Sequence, residues 1–321
     1  MISKPIPSFV QFILLLFVNF LLLSCNSKPK SSKITDQKLT IKAKSTSDFK
    51  ISLAQWSLHR AFKDGSLDPM DFPKIAASYG IYSIELVNSF YLKKVNDKTY
   101  WKTFKQRCDE NKVSVGIIMC DRLGNLRNPN VKERIKTVEN HYAWIDIAKY
   151  LGAHSIRVNA TGKGNADEVA LNAIDGLNKL SKYASEKDIN IIVENHGGNS
   201  SNGKWLASII KQVDKKNVGT LPDFGNFCLK RDSDKNCLSE YDRYKGISEL
   251  TPFAKGISAK SYDFDKKGNE TKIDFLRMMK IVKNSGYKGY IGIEYEGNSL
   301  SEPEGIIATK TLLEMVFTEL E

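Results

Sequence analysis

From residue 51 onward the hydrophobic positions repeat a two-part pattern: a short apolar or β-branched run, a turn, then a longer stretch with apolar residues at helical spacing. The short runs cover 51–59, 82–89, 113–121, 154–161, 189–196, 218–225, 255–263 and 288–296. The amphipathic stretches lie near 69–79, 99–111, 131–151, 166–187, 204–215, 240–253, 273–285 and 303–319. In the third of these, Ile135, Val138, Tyr142, Ile145 and Ala148 recur about one helical turn apart and Gly152 supplies the stop. Near-continuous apolar strands are buried on both faces, as in a parallel sheet covered by helices. Eight such units within 51–321 predict an α/β fold, a (β/α)8 TIM barrel with eight parallel strands. An open doubly wound sheet is the alternative, but no GxGxxG follows the first strand, where the chain reads Gln55-Trp-Ser-Leu-His59-Arg60.

The chain ahead of this pattern reads differently. Lys4 precedes an apolar run from Phe9 to Leu23, and no second run of that kind follows, which predicts an export signal rather than a spanning helix. Leu22-Leu23-Ser24-Cys25 resembles a bacterial lipobox. That resemblance implies cleavage before Cys25, lipid on its thiol and anchoring to a membrane leaflet; an ordinary secretory signal with an incidental cysteine is the alternative. Residues 26–50 are rich in Lys, Ser and Thr, with too little apolar material to pack, and read as a disordered tether. The expected organisation is therefore a lipoprotein signal peptide at 1–25, a tether at 26–50 and a barrel at 51–321. The expected location is outside the cytoplasm, lipid-anchored and facing the periplasm, since no acidic residue directly follows Cys25.

Composition is globular, 41% hydrophobic and 26% charged, which excludes a disordered chain. The net charge of +11 raises nucleic acid as a partner, but Lys4 and the seven lysines against two aspartates in 26–50 leave only +5 on 51–321. A basic footprint belongs on the domain that binds, so nucleic acid is not expected as a partner. Cys228 and Cys237 flank a polar stretch and could close a loop disulfide or stay as thiols; sequence cannot supply their separation.

In a TIM barrel the chemistry gathers where the strands end, so polar residues there are the candidates. They are Trp56 and His59 on the first run, Glu85 and Asn88 on the second, and Arg157 and Asn159 on the fourth. Glu194 and His196 end the fifth, Asp223 the sixth with Asn226 just beyond, Lys260 the seventh, and Glu294 and Glu296 the eighth. Alternation puts Glu194 with His196, and Glu294 with Glu296, on one face of their strands. Three acids converging in one mouth repel each other unless a cation or proton intervenes. His154 and His141 fall away from the mouth and read as structural.

The motifs IIVENHGG (191–198), LPDFGNF (221–227), GISAKSYDF (256–264) and GYIGIEYEG (289–297) resemble those of the xylose-isomerase-like TIM-barrel superfamily, and in particular its exported sugar phosphate isomerase/epimerase group. The resemblance covers essentially all of 51–321. It implies a carbohydrate substrate and a divalent metal, Mn²⁺ or Mg²⁺, held by Glu194, Asp223 and Glu294. The family's strand-seven histidine is replaced by Ser258 and a strand-six histidine by Asn226, so oxygen ligands take their place, an arrangement suited to hard ions. It further implies Glu194, Glu294, His196 and Lys260 as the groups that move protons and hold charge next to a sugar carbonyl. His59, Glu85, Asn159, Arg157, Trp56 and Asn226 are then substrate-binding candidates. Isomerase or epimerase chemistry through an enediolate is the leading expectation. The alternatives are a lyase or hydratase eliminating from keto-sugars or 3-keto-glycosides, and a non-catalytic carbohydrate-binding lipoprotein. Oligomeric state has no signal in the sequence.

Overall fold

The computed structural model describes residues 48–160 and 164–321. The predicted signal peptide, Cys25 and nearly all of the predicted tether lie outside the described residues. Among those described, no helix is long and apolar enough to cross a membrane.

The eight predicted runs form strands: β1 (Phe49–Ala54), β2 (Ser83–Val87), β3 (Ser114–Met119), β4 (Ser155–Asn159), β5 (Asn190–Glu194) and β6 (Val218–Leu221), then, after a hairpin of β7 (Cys228–Arg231) and β8 (Cys237–Glu240), β9 (Ile257–Ser261) and β10 (Gly289–Tyr295). The eight barrel strands are parallel and run in the order β6-β5-β4-β3-β2-β1-β10-β9. The ring is shut between β6 and β9 by two single bridges, Thr220 with Ala254 and Asp223 with Ser258. There the Ser258 amide donates to the Pro222 carbonyl at 2.9 Å and the Phe224 amide to the Ser258 carbonyl at 3.1 Å. Of the two bridges, Asp223–Ser258 lies past the end of β6, on the side of the mouth, whereas Ala254 precedes β9.

Strand alternation divides the apolar residues into two cores. Ala54, Val87, Ile117, Met119, Ile192 and Leu221 form an inner cluster that fills the barrel. A larger outer core packs the other strand faces against helices, including α3 (Lys98–Glu110), α6 (Ala166–Ser185) and α10 (Glu302–Leu320). α10 starts at a capping box in which Ser301 and Glu304 satisfy each other's backbone amides, so the last helix is fixed from its first turn.

Four expectations are corrected. The barrel begins at Phe49 rather than 51, because the Phe49 ring packs 5.4 Å from that of Phe317 and carries β1 back into the predicted tether. The first predicted run is too long: β1 ends at Ala54, Gln55–Leu58 makes a 3₁₀ turn, and His59 opens the short helix α1 (His59–Asp64) rather than ending a strand. Residues 131–151 form two helices, α4 (Val131–Asn140) and α5 (Tyr142–Leu151). The break is at His141, whose amide turns to the Val138 carbonyl three residues back while its Nδ1 lies 2.7 Å from the Thr137 carbonyl. Finally, the β7–β8 hairpin had no sequence pattern to announce it, since β8 is exposed along its whole length. The Cys228–Cys237 disulfide, with Cα atoms 5.7 Å apart, and Asp232, which accepts from the Asn236 amide, hold it together.

Candidate active site

The mouth is built from side chains that project where the barrel strands end. Glu194, the last residue of β5, Asp223, just past β6, and Glu294 on β10 are all buried and each offers an oxygen within 4.8 Å of the others. Each acid has its own support. The Asp223 Oδ1 accepts from the amides of Gly225 and Asn226, both at 2.8 Å, a turn that requires the chain to fold back directly after β6. Asn195 braces the same turn from β5, accepting from the Asp223 amide at 2.8 Å and donating to its carbonyl at 2.9 Å. Ser258 on β9 donates from its hydroxyl toward Asp223 Oδ2 at 2.8 Å and Glu294 Oε2 at 3.1 Å, so it bridges the two acids across the seam.

Two cations lie among these acids. Lys260 is only 2% exposed, and its Nζ lies 3.1 Å from Glu294, 3.4 Å from Glu296 and 3.6 Å from Asp223. It also donates to Asn226 Oδ1 at 3.3 Å, while Asn226 Nδ2 donates to Glu194 at 3.1 Å, which makes Asn226 the bridge between the lysine and the β5 acid. Arg157 on β4 is buried against Asp121 at 2.7 Å and Glu194 at 2.9 Å. Burial pulls both cations toward the neutral form, but Asp223, Glu294 and Glu296 outweigh it at Lys260, and Asp121 and Glu194 outweigh it at Arg157, so both stay charged.

The acids are not fully compensated. Burial pushes the Glu194 carboxyl up to about 7 in spite of Arg157, and Asp223 up to about 7 in spite of Lys260. Glu296 is different: Lys260 and the Trp56 indole, which donates to it, outweigh burial and keep it below the usual carboxylate range. Glu85 lies deeper. Its carboxyl, 1% exposed, occupies the space above Gly292, where an added Cβ would come within 2.5 Å of Glu85 Oε1. Ser52 donates to Oε1 at 2.6 Å, Oε2 has no hydrogen-bond partner, and burial raises the group to about 7. Four buried carboxyls (Glu85, Glu194, Asp223 and Glu294) and two half-buried ones (Asp121 and Glu296) thus share two cations, Arg157 and Lys260. The convergence of Glu194, Asp223 and Glu294, a set of oxygen donors alone, fits a hard divalent cation at these three residues.

Around this centre the predicted residues divide. Asn159 donates to Asp121 at 2.9 Å and keeps a buried, unpartnered Oδ1 at the end of β4. His196 stands at the opening and is exposed to solvent, and partial desolvation of its ring, followed by the charges of Arg157 and Lys260, lowers its pKa. Trp56 stacks on His59 at 4.8 Å, under the Lys63 ammonium at 4.2 Å, so its ring is braced by the chain's own side chains. His59 Nδ1 lies 2.8 Å from the Trp56 carbonyl and 3.6 Å from Glu302 on α10. Sequence reasoning missed Asp121, although it ends the third apolar run as the other acids end theirs. It also missed Asn195, which alternation assigns to the outward face and which no local pattern marks.

A family model described as Xylose isomerase-like TIM barrel matches residues 73–314. Among curated proteins the chain is 26% identical over 160 residues to an inosose dehydratase of Clostridium botulinum, covering 44% of this chain and 53% of that protein. The chain therefore spans about half the length of that curated relative. Two solved structures share the fold at low identity. The IOLI protein with a bound zinc atom gives a TM-score of 0.67 at 14% identity, covering 84% of this chain and 98% of that one. D-psicose 3-epimerase of Clostridium cellulolyticum with D-tagatose gives 0.65 at 12%, covering 84% and 99%.

Proposed function

Because the chain belongs to the xylose isomerase-like TIM barrel family, we propose that it is a sugar isomerase or epimerase that moves a proton beside a carbonyl, assisted by a divalent cation. The observation that carries this reading is the meeting of Glu194, Asp223 and Glu294 in the mouth, all buried and each with an oxygen within 4.8 Å of the others, where burial raises the Glu194 carboxyl to about 7. A general base works best when its pKa is close to the working pH. Glu194 takes the proton from the carbon next to the carbonyl, the electron pair moves onto the carbonyl oxygen, and an enediolate results. Glu294, which reaches the same space from β10, handles the proton that returns to the neighbouring carbon or to the opposite face. The Lys260 ammonium, in contact with Glu294, Glu296 and Asn226, neutralises the developing oxyanion. His196, neutral at pH 7, passes protons between hydroxyls at the solvent edge. A divalent ion held by Glu194, Asp223 and Glu294, with the Ser258 hydroxyl beside them, would polarise the carbonyl. Asn226 and Arg157 keep Glu194 pointed at the substrate, and Asn159 offers its free oxygen to a sugar hydroxyl.

A second reading shares the first half of this sequence. The similarity to an inosose dehydratase favours elimination, in which the enediolate expels a leaving group instead of accepting a proton. Proton NMR in D2O with free sugars and 3-keto-glycosides separates the two. Deuterium entering beside the carbonyl while a new isomer accumulates supports the isomerase. Loss of the leaving group with an unsaturated keto-sugar supports the lyase, and no exchange with any substrate removes both.

We also propose that Cys25 is lipidated and the barrel is held on the periplasmic side of a bacterial membrane. The Cys228–Cys237 disulfide supports this, since such bonds persist in oxidising compartments. Metabolic labelling with a radioactive fatty acid tests it: label absent from the wild-type chain, or retained after Cys25→Ala, overturns it.

A further inference from the structure

The oxygens that would hold a metal are already in use. Asp223 Oδ1 is taken by two backbone amides, which leaves Oδ2, the oxygen facing Lys260 at 3.6 Å and Ser258 at 2.8 Å. Glu294 likewise turns Oε1 to Lys260 at 3.1 Å and Oε2 to Ser258. A divalent ion sits roughly 2.0–2.6 Å from its oxygen ligands, so an ion on these carboxylates would meet the ammonium across the same few ångströms, and like charges repel strongly at that range in a buried site. The ammonium has somewhere else to go. Glu296 at 3.4 Å and Asn226 Oδ1 at 3.3 Å also contact it and are not part of the triad.

We infer that Lys260 is a resident counter-ion that competes with the divalent cation for Asp223 and Glu294, retreating to Glu296 and Asn226 when the ion enters, and so weakens the hold of this chain on its metal. The inference rests on the reading of the triad as a metal centre. In the absence of metal the lysine keeps the acids from repelling each other; with metal bound, its charge is carried by Glu296 and Asn226.

The test is Mn²⁺ binding to the purified protein, followed by the electron paramagnetic resonance signal of free Mn²⁺. Lys260→Met should tighten Mn²⁺ at least tenfold, whereas Lys288→Met, which removes the same charge from an exposed pair with Asp48, should leave it unchanged. Lys260→Met should also melt at a lower temperature without metal and recover more than the wild type when Mn²⁺ is added, which a purely structural lysine would not do. Glu296→Gln removes the alternative partner, leaves the ammonium on the triad, and should weaken Mn²⁺ severalfold; this variant decides the matter if Lys260→Met does not fold. Unchanged or weaker binding in Lys260→Met, or unchanged or tighter binding in Glu296→Gln, overturns the inference while the metal centre stands. Mn²⁺ binding to no variant, the wild type included, overturns the metal centre itself and the inference with it.

Discussion

Replacing Glu85 by glutamine should make the protein more stable at high pH than at low pH relative to the wild type. Glu85 is buried inside the barrel, with Ser52 donating to Oε1 and Gly292 leaving room for the carboxyl. Glutamine has the same shape, and its amide oxygen can accept the Ser52 hydroxyl. The carboxyl is carried from its ordinary 4.5 to about 7, chiefly by burial, with Glu294 and Glu194 adding to the shift. The native state therefore binds a proton that the unfolded state has already released between those two values. A folded pKa raised in this way makes the group's contribution complete below about 4.5 and progressively lost as pH rises to about 7. At about 1.4 kcal/mol per pH unit the loss is about 3 kcal/mol. Glu85→Gln lacks this cost, so urea unfolding in the presence of a chelator should find its stability advantage about 3 kcal/mol larger at pH 8 than at pH 4.5. An advantage that stays constant, or shrinks as pH rises, would refute the argument that Glu85 is folded as a neutral acid.

Three further outcomes follow from the geometry. Asn226→Ala removes the link between Lys260 and Glu194, and loss of a hydrogen bond to a charged group, about 1.5–3 kcal/mol, should lower kcat/KM roughly 10- to 100-fold with little change in melting temperature; an unaltered rate would remove Asn226 from the machinery. Gly292→Ala drives a Cβ to 2.5 Å from Glu85 Oε1 and should cost about 1–3 kcal/mol, most of it absent when the change is made on a Glu85→Ala background, as a double-mutant cycle by urea unfolding would reveal. Cys237→Ser opens the hairpin disulfide and should lower stability by about 2–3 kcal/mol, a difference that reductant ought to erase.

The barrel was legible in the sequence because parallel strands buried on both faces leave eight near-continuous apolar runs that no other arrangement explains as simply. Within them, Glu194, Asp223 and Glu294 stood out as charges at strand ends, and the structure brings these three together. Residues whose work is done by backbone turns left no such trace. Asn195 braces Asp223 only because the chain reverses after β6, and His59 reads as the end of a strand until Gln55–Leu58 is seen to coil into a 3₁₀ turn. Lys260 was readable as a cation among the strand-end acids, but which of them it meets most closely, Glu294 rather than Asp223, was not. Periodicity fixes which face a side chain occupies and is silent on which neighbour across the barrel it meets. The exposed β8 strand had no buried face at all, hence no alternation to detect.

The seam between β6 and β9 links folding to chemistry. Seven of the eight strand junctions are laddered, whereas this one is fastened at Thr220–Ala254 and Asp223–Ser258. The second fastening is itself part of the acid centre, so closure of the cylinder by this rung and alignment of its acids depend on the same pair of residues. A chain with that rung undone would lose the alignment of its acids before it lost its sheet. Anything that grips Asp223 and Glu294 together would therefore also work as a clasp across that seam.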